Sequence, residues 1–158
     1  RPVIRPGDDK DLVIQVKGID DLMTYRAKCC NPIRGEPIVG YITLGKGISV
    51  HSRTCPNVQN LMYDAERRIE VEWTGPKYTF YPVRLTLVTT DRQGMLAEIT
   101  AVISSDRSNI QDIEARTGDN QASIDVTVDI VDKAHLEKIV SSLRKIEGVY
   151  RVERVQKK

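Results

Sequence analysis

The sequence predicts an α+β protein of two small modules, the second built in the order strand–helix–strand–strand–helix–strand. Three observations predict this. Two patterned stretches are separated by Thr74-Gly75-Pro76-Lys77, and a Gly-Pro step between alternating segments marks a boundary. Beyond that break, period-two and helical repeats follow one another in the order of a split βαβ unit. Ahead of it, all three cysteines and one of the two histidines fall within residues 29–55.

The break divides the chain into residues 12–76 and residues 77–158, with residues 1–11, rich in Pro, Gly and Asp, as a flexible leader. In the first module, Leu12–Val16 reads as a short strand. Asp20-Asp21-Leu22-Met23 is expected to start a helical turn that leads to Ala27-Lys28-Cys29-Cys30, and Asn31-Pro32 is a turn signal. Pro37–Thr43 and Gly47–His51 are read as strands joined by Leu44-Gly45-Lys46. Pro56–Tyr63 is expected to be a short helix, with Pro56 in its tolerated early position. Arg68–Trp73 alternates charged and apolar residues as one half-buried strand would.

In the second module, Val83, Leu85 and Leu87 alternate with Arg84, Thr86 and Val88, a strand pattern. Asp91-Arg92-Gln93-Gly94 is a polar break, after which Met95, Leu96, Ile99, Val102 and Ile103 recur at helical spacing. Asn109–Arg116 is a second strand, and Thr117-Gly118-Asp119-Asn120 a hairpin loop. Ile124, Val126, Val128 and Ile130 alternate with polar residues, so one face of that strand is buried. Asp132 suits a helix N-cap, and Leu136, Ile139, Val140 and Leu143 form an apolar stripe. Gly148 ends that helix, and Val149–Arg154 is the last strand. Such a ferredoxin-like βαββαβ order lays two helices on one face of a four-stranded antiparallel sheet.

The 158 residues carry a formal charge of +2, with 40% hydrophobic and 29% charged residues, so a globally basic nucleic-acid binder is excluded. Locally the balance shifts. From Arg26 to Arg53 there are five basic residues and one acidic residue, a surplus able to attract phosphate or simply to solvate a loop face. No apolar run approaches the ~20 residues of a membrane helix, and no signal peptide is evident. Lacking an initiator Met, the chain is read as a piece of a longer protein. An odd number of cysteines without a secretory signal argues against a disulfide framework and for a reducing cytoplasm.

Cys29, Cys30, His51 and Cys55 supply four borderline-soft ligands, the number a tetrahedral structural zinc site needs. His51 and Cys55 have a familiar half-site spacing. Adjacent Cys29 and Cys30 can both reach one ion only on a special backbone. Buried free thiols, a redox pair, and a cysteine nucleophile with His51 as base are the alternatives.

Tyr81–Val155 resembles the ACT domain family. The resemblance rests on the Val-Arg-Leu first strand, on Thr90-Asp91-Arg92-Gln93-Gly94-Met95-Leu96, and on Ser108-Asn109-Ile110 opening the second strand. It implies a regulatory module that binds an amino acid at a dimer interface, between the first loop and its helix. The matching residues here are Asp91, Gly94, Met95, Leu96, Asn109 and Ile110. Gly94 allows close backbone approach, the following helix N-terminus can take a carboxylate, and Asp91 can pair with an ammonium group. Leu96 and Ile110 can form an apolar wall. The plainer alternative is that Asp91 caps the helix, Gly94 turns the chain, and Leu96 and Ile110 are core. Dimerisation through sheet edges or helices is expected, since outer strands need covering.

Ala27-Lys28-Cys29-Cys30-Asn31-Pro32 through Gly45-Lys46-Gly47-Ile48-Ser49-Val50-His51 and Cys55-Pro56-Asn57 is similar to the conserved-cysteine, or RIS, zinc-finger domain of long RelA/SpoT homologues, the (p)ppGpp synthetase/hydrolases of the bacterial stringent response. An ACT domain follows it in that family. The resemblance implies a non-catalytic regulatory region whose parent is a GTP pyrophosphokinase and (p)ppGpp hydrolase. It further implies contacts with ribosomal RNA and tRNA, control of the parent's own catalytic domains, and in some members a branched-chain amino acid. Arg34, Lys46 and Arg53 are then candidates to meet RNA. Tyr41 is the only aromatic residue in the basic stretch, which favours backbone or shape recognition over base reading. Two rival readings remain: a stand-alone amino-acid-binding regulator without ribosome contact, and a Cys/His hydrolase or thiol redox protein.

Overall fold

The computed structural model describes residues 14–16, 23–43, 45, 47–58, 65–74 and 80–155. These form two compact units, the second being Phe80–Val155. Each is described by itself.

The first unit is built on β3 (Ile38–Thr43) and β4 (Gly47–Ser52), an antiparallel hairpin rich in β-branched residues. Its turn uses Gly45 at φ 76° and Gly47 at φ 85°, angles that only glycine adopts without strain. β2 (Thr24–Arg26) runs parallel to β4, and β5 (Arg68–Ile69) antiparallel to β3, giving the order β2-β4-β3-β5. β1 (Ile14–Val16) pairs antiparallel with β6 (Val71–Trp73). The central strands are covered on both sides. On one side Ile14, Val16, Ile38, Ile48 and Val50 form a core with Ile69, Val71 and Trp73 against it. On the other, Ala27, Cys30, Val39, Tyr41, Cys55 and Val58 cluster together with Cys29.

Two expectations for this unit are corrected. Met23 begins no helical turn. The residues after it form a strand, because the Met23 carbonyl accepts from Ile48 N–H at 2.9 Å and Ala27 N–H donates to Val50 O at 2.8 Å. Thr24 Oγ1 also donates to Ile14 O at 2.9 Å. Pairing with β4 thus makes residues 24–26 a strand, while Asp20, Asp21 and Leu22 of the expected turn lie outside the described residues. Arg68–Trp73 is likewise two strands. Ile69 pairs with Gly40 and Val71 with Val16, so the chain changes sheets at Glu70 while its apolar side chains stay in one core. The leader 1–11, the start of the first strand (Leu12, Val13), Leu44 and Lys46 of the hairpin turn, most of the Pro56–Tyr63 helix and residues 75–77 of the break lie outside the described residues.

The second unit follows the predicted order: β7 (Tyr81–Thr90), α1 (Met95–Ser105), β8 (Ile110–Gly118), β9 (Gln121–Ile130), α2 (Lys133–Arg144) and β10 (Val149–Arg154). The sheet is antiparallel throughout, ordered β10-β7-β9-β8. Val83, Leu85, Leu87, Ile124, Val126, Val128 and Ile130 are buried, as are Met95, Ile99 and Ile103 of α1 and Leu136, Ile139 and Leu143 of α2. Asp132 caps α2 as its residue type suggests, its Oδ1 accepting from His135 N–H at 2.8 Å. The hairpin is tighter than the four-residue loop expected. β8 and β9 reach Gly118 and Gln121, leaving Asp119 and Asn120 at φ 52° and 64°, the left-handed pair of a two-residue turn.

Candidate metal centre

Alternation along β4 places Ser49 and His51 on the same face as Val39 and Tyr41 of the neighbouring strand. Cys55 follows one short turn later, its N–H donating to Ser52 O at 3.0 Å. The adjacent cysteines arrive on the backbone their spacing demands. Residues 28–30 turn, Asn31 N–H closes onto Ala27 O at 2.9 Å, and Asn31 sits in the left-handed region at φ 43°. Arg26 braces that turn, its Nη1 donating to Asn31 Oδ1 at 2.8 Å and to Pro32 O at 3.0 Å.

The four ligand atoms of Cys29, Cys30, His51 and Cys55 all lie within 4.8 Å of one another. Cys29 Sγ is 3.4 Å from His51 Nδ1, 3.6 Å from Cys55 Sγ and 4.0 Å from Cys30 Sγ, and Cys30 Sγ is 3.9 Å from Nδ1. A tetrahedral ion with metal–sulfur bonds of about 2.3 Å and a metal–nitrogen bond of about 2.0 Å has ligand–ligand edges of roughly 3.5–3.8 Å. The four separations of 3.4–4.0 Å bracket those edges, so the cluster approaches the dimensions of a tetrahedral shell. None of the thiols is joined in a disulfide. Cys30, Cys55 and His51 are buried and Cys29 is half-buried.

Burial shifts two of the four side chains, Cys30 and His51. It pushes the Cys30 thiol up to about 12, with the neighbouring Cys29 and Cys55 adding to the rise and the Ser52 N–H, 3.2 Å from its sulfur, opposing it. Burial also holds the His51 imidazole below its ordinary value, so it is neutral at pH 7 and has a lone pair to give. Tyr41 meets the His51 ring edge-on, with centroids 6.0 Å apart and planes at 77°. The arrangement can hold a divalent ion with soft ligands.

The other candidate residues are placed differently. Arg34 is half-buried and donates through Nη2 to Thr74 O, an internal brace. Arg53 is exposed, and Lys46 lies outside the described residues. Lys28, Arg67 and Arg68 are further exposed cations of this unit; Arg67 and Arg68 fall outside the basic stretch legible in the sequence.

The six amino-acid candidates do not converge within one chain. Gly94 directly precedes α1 with φ 84° and no side-chain cap, so Asp91 does not cap the helix; its N–H donates to Asn120 O at 3.1 Å. A Cβ at Gly94 would meet nothing within 4 Å, and Leu96 is 43% exposed, whereas Met95 is core. Asn109 and Ile110 lie past the other end of α1. Ile110 is level with Val128 of β9, while Thr90, leading to the Asp91 loop, is level with Gln121. Seven residues along a strand separate the two groups by about 20 Å. Asn109 Nδ2 points to Asp129 Oδ2 at 3.4 Å.

Comparison with known proteins covers both units. Residues 14–74 match the family model described as the RelA/SpoT RIS domain, and residues 77–154 that of the ACT domain. A GTP pyrophosphokinase of Streptomyces antibioticus is 36% identical over 148 residues, 93% of this chain and 18% of the relative. The bifunctional (p)ppGpp synthase/hydrolase RelA of Mycobacterium tuberculosis is 35% identical over 152 residues, 96% of this chain and 21% of the relative. The chain thus spans about one-fifth of the length of these relatives. Among solved structures, the ACT domain from the GTP pyrophosphokinase of Chlorobium tepidum is 30% identical, covers 49% of this chain and 100% of its own, and has a TM-score of 0.45.

Proposed function

The chain belongs to the RelA/SpoT family as a RIS domain followed by an ACT domain, and from that premise we propose that it is the C-terminal regulatory region of a (p)ppGpp synthetase/hydrolase. Its first unit is a zinc-stabilised module, with Cys29, Cys30, His51 and Cys55 as the ligands. Zinc suits three thiolates and one imidazole in a tetrahedral shell, and four protein ligands leave no open position for a catalytic water. The metal's role is therefore structural: it ties the turn at residues 28–30 to the end of β4. The observation that carries this reading is the closure of four ligand atoms within 4.8 Å.

The region makes no (p)ppGpp and degrades none. It controls catalytic domains elsewhere in the parent protein, and it meets ribosomal RNA and tRNA through exposed cations of the first unit, Arg53 among them. Boundaries at residues 12–76 and 77–158 separate the two modules, and reduced thiols fit a cytoplasmic setting. An amino acid, branched-chain by the family resemblance, binds at the second unit. Since Asp91, Gly94 and Leu96 lie far from Asn109 and Ile110 along the sheet, a site drawing on both groups takes them from two chains of a homodimer.

Metal analysis by mass spectrometry, on protein purified without chelator, tests the central claim. About one zinc per chain, absent in Cys55→Ser, is expected. A folded first unit without metal in either protein would overturn it and return the three thiols to the core.

A further inference from the structure

We propose that Ser49 is the positioning residue of the metal centre: its hydroxyl oxygen accepts a hydrogen bond from His51 Nε2–H, keeps the proton on that nitrogen and so leaves the Nδ1 lone pair for the ion. The proposal rests on reading the cluster as a zinc site.

A neutral imidazole carries its proton on one nitrogen and offers a lone pair on the other. In the first unit the two nitrogens of His51 face different surroundings. Nδ1 looks into the thiol cluster, 3.4 Å from Cys29 Sγ and 3.9 Å from Cys30 Sγ. Nε2 faces away from it and lies 3.1 Å from Ser49 Oγ. Only the tautomer protonated on Nε2 can give Nδ1 to a metal, and that tautomer needs an acceptor where Ser49 stands.

The position explains an otherwise odd residue. Ser49 is 8% exposed and lies between Ile48 and Val50 in a strand of apolar character. Valine or threonine would suit such a strand better, and a hydroxyl buried there costs free energy unless it is hydrogen-bonded. Its partner is His51, two residues along and on the same face. Tyr41 packs edge-on against the ring, and Ser49 fixes which nitrogen points at the ion. Strand β4 thus carries both a ligand and that ligand's outer support, while the Ser52 N–H from the same strand serves Cys30.

Removing such an outer-shell partner typically weakens metal binding by about 10- to 100-fold. The test compares zinc affinity, by competition with a chromophoric chelator, among the unaltered chain, Ser49→Ala and Ser49→Thr. Ser49→Ala is expected to fall in that range, and Ser49→Thr, which keeps a hydroxyl, to restore most of the loss. A role in packing alone would not be rescued by the hydroxyl. Long-range ¹H–¹⁵N spectra of the zinc-loaded unaltered chain are expected to show the His51 proton on Nε2, and the opposite tautomer would count against the proposal even if Ser49→Ala fails to fold. Unchanged affinity in Ser49→Ala, or a proton on Nδ1, overturns the proposal. An unaltered chain that takes up no zinc sinks the metal reading itself, and this proposal with it.

Discussion

Cys29 and Cys55, 26 residues apart in sequence, hold their sulfur atoms 3.6 Å apart without a bond between them. A covalent disulfide brings sulfurs to about 2.05 Å, whereas two ligands of one tetrahedral ion sit near this wider spacing. Cys55→Ser is expected to abolish metal uptake and melt the first unit. NMR of the variant should retain the dispersed resonances of Phe80–Val155 while those of β3 and β4 collapse.

Metal affinity should rise with pH. The Cys30 thiol, pushed up to about 12 by burial, is protonated at neutral pH and must lose its proton to bind. Each pH unit gained below that value removes one proton's competition, so Cys30 alone contributes about a tenfold gain per unit between pH 6 and 8. Chelator competition across that range measures it, and a flat profile would show that no thiol proton is displaced.

Asp125 should stabilise the second unit at neutral pH. The Thr86 hydroxyl, 2.6 Å from Oδ1, holds its carboxyl below the ordinary value of 3.8, and Arg84 and Arg116 at 3.2 and 3.1 Å add to this against the cost of burial. A depressed carboxyl contributes stability that is present above its ordinary value and is lost as pH falls through the lowered one. Asp125→Asn is expected to cost about 1 kcal/mol at pH 7, roughly 4–8 °C in Tm for a unit of this size. Thermal scans should show that gap closing below about pH 4.

Two glycines with similar dihedrals should respond differently to alanine. Gly94, at φ 84°, has open space where a Cβ would stand, so Gly94→Ala carries only left-handed strain of about 1 kcal/mol. Gly148, at φ 94°, would drive a Cβ into Thr90 Oγ1 and to 3.0 Å from Met95 Cε, raising the cost to about 3 kcal/mol. Denaturant melts of the two variants compare them directly. If the Asp91 loop holds an amino acid, Gly94→Ala also weakens that binding while the fold persists.

Arg53 and Arg34 should separate binding from stability. Arg53 is exposed, so Arg53→Ala is expected to weaken RNA association and lower its salt dependence by about one ion. Arg34 holds Thr74 O, so Arg34→Ala should lower the Tm of the first unit instead. Filter binding over a salt series, alongside thermal scans, distinguishes the two.

The second unit was legible element by element because its core is one-sided. Residues such as Ile124, Val126 and Val128 alternate with polar neighbours, and the two helical stripes face one sheet. The first unit hid more. β2 has only three residues, and its pairing depends on β4, more than twenty positions away, which no local pattern around Met23 reveals. Glu70 interrupts no alternation, so the change of sheets there left no mark on the sequence. The four ligands could be picked out because thiols and imidazoles are few in this chain. The turn that lets Cys29 and Cys30 face one point was not evident, since it depends on Asn31 in the left-handed region and on the Arg26 brace. Ser49 went unnoticed because a serine in a strand looks like any surface residue until its partner is known.

β3 has an apolar core on each of its faces, with Ile38 in one and Val39 and Tyr41 in the other. A wall shared in this way makes the two cores one cooperative object. If the module folds only with its ion, the free energy of packing Ile38 against Ile14 and Val16 enters the apparent metal constant. Trimming such a side chain by about 1.4 kcal/mol then reads out as a tenfold weaker hold on zinc, although the residue altered never approaches the metal. Apolar residues on the far side of the sheet then tune the site without touching it.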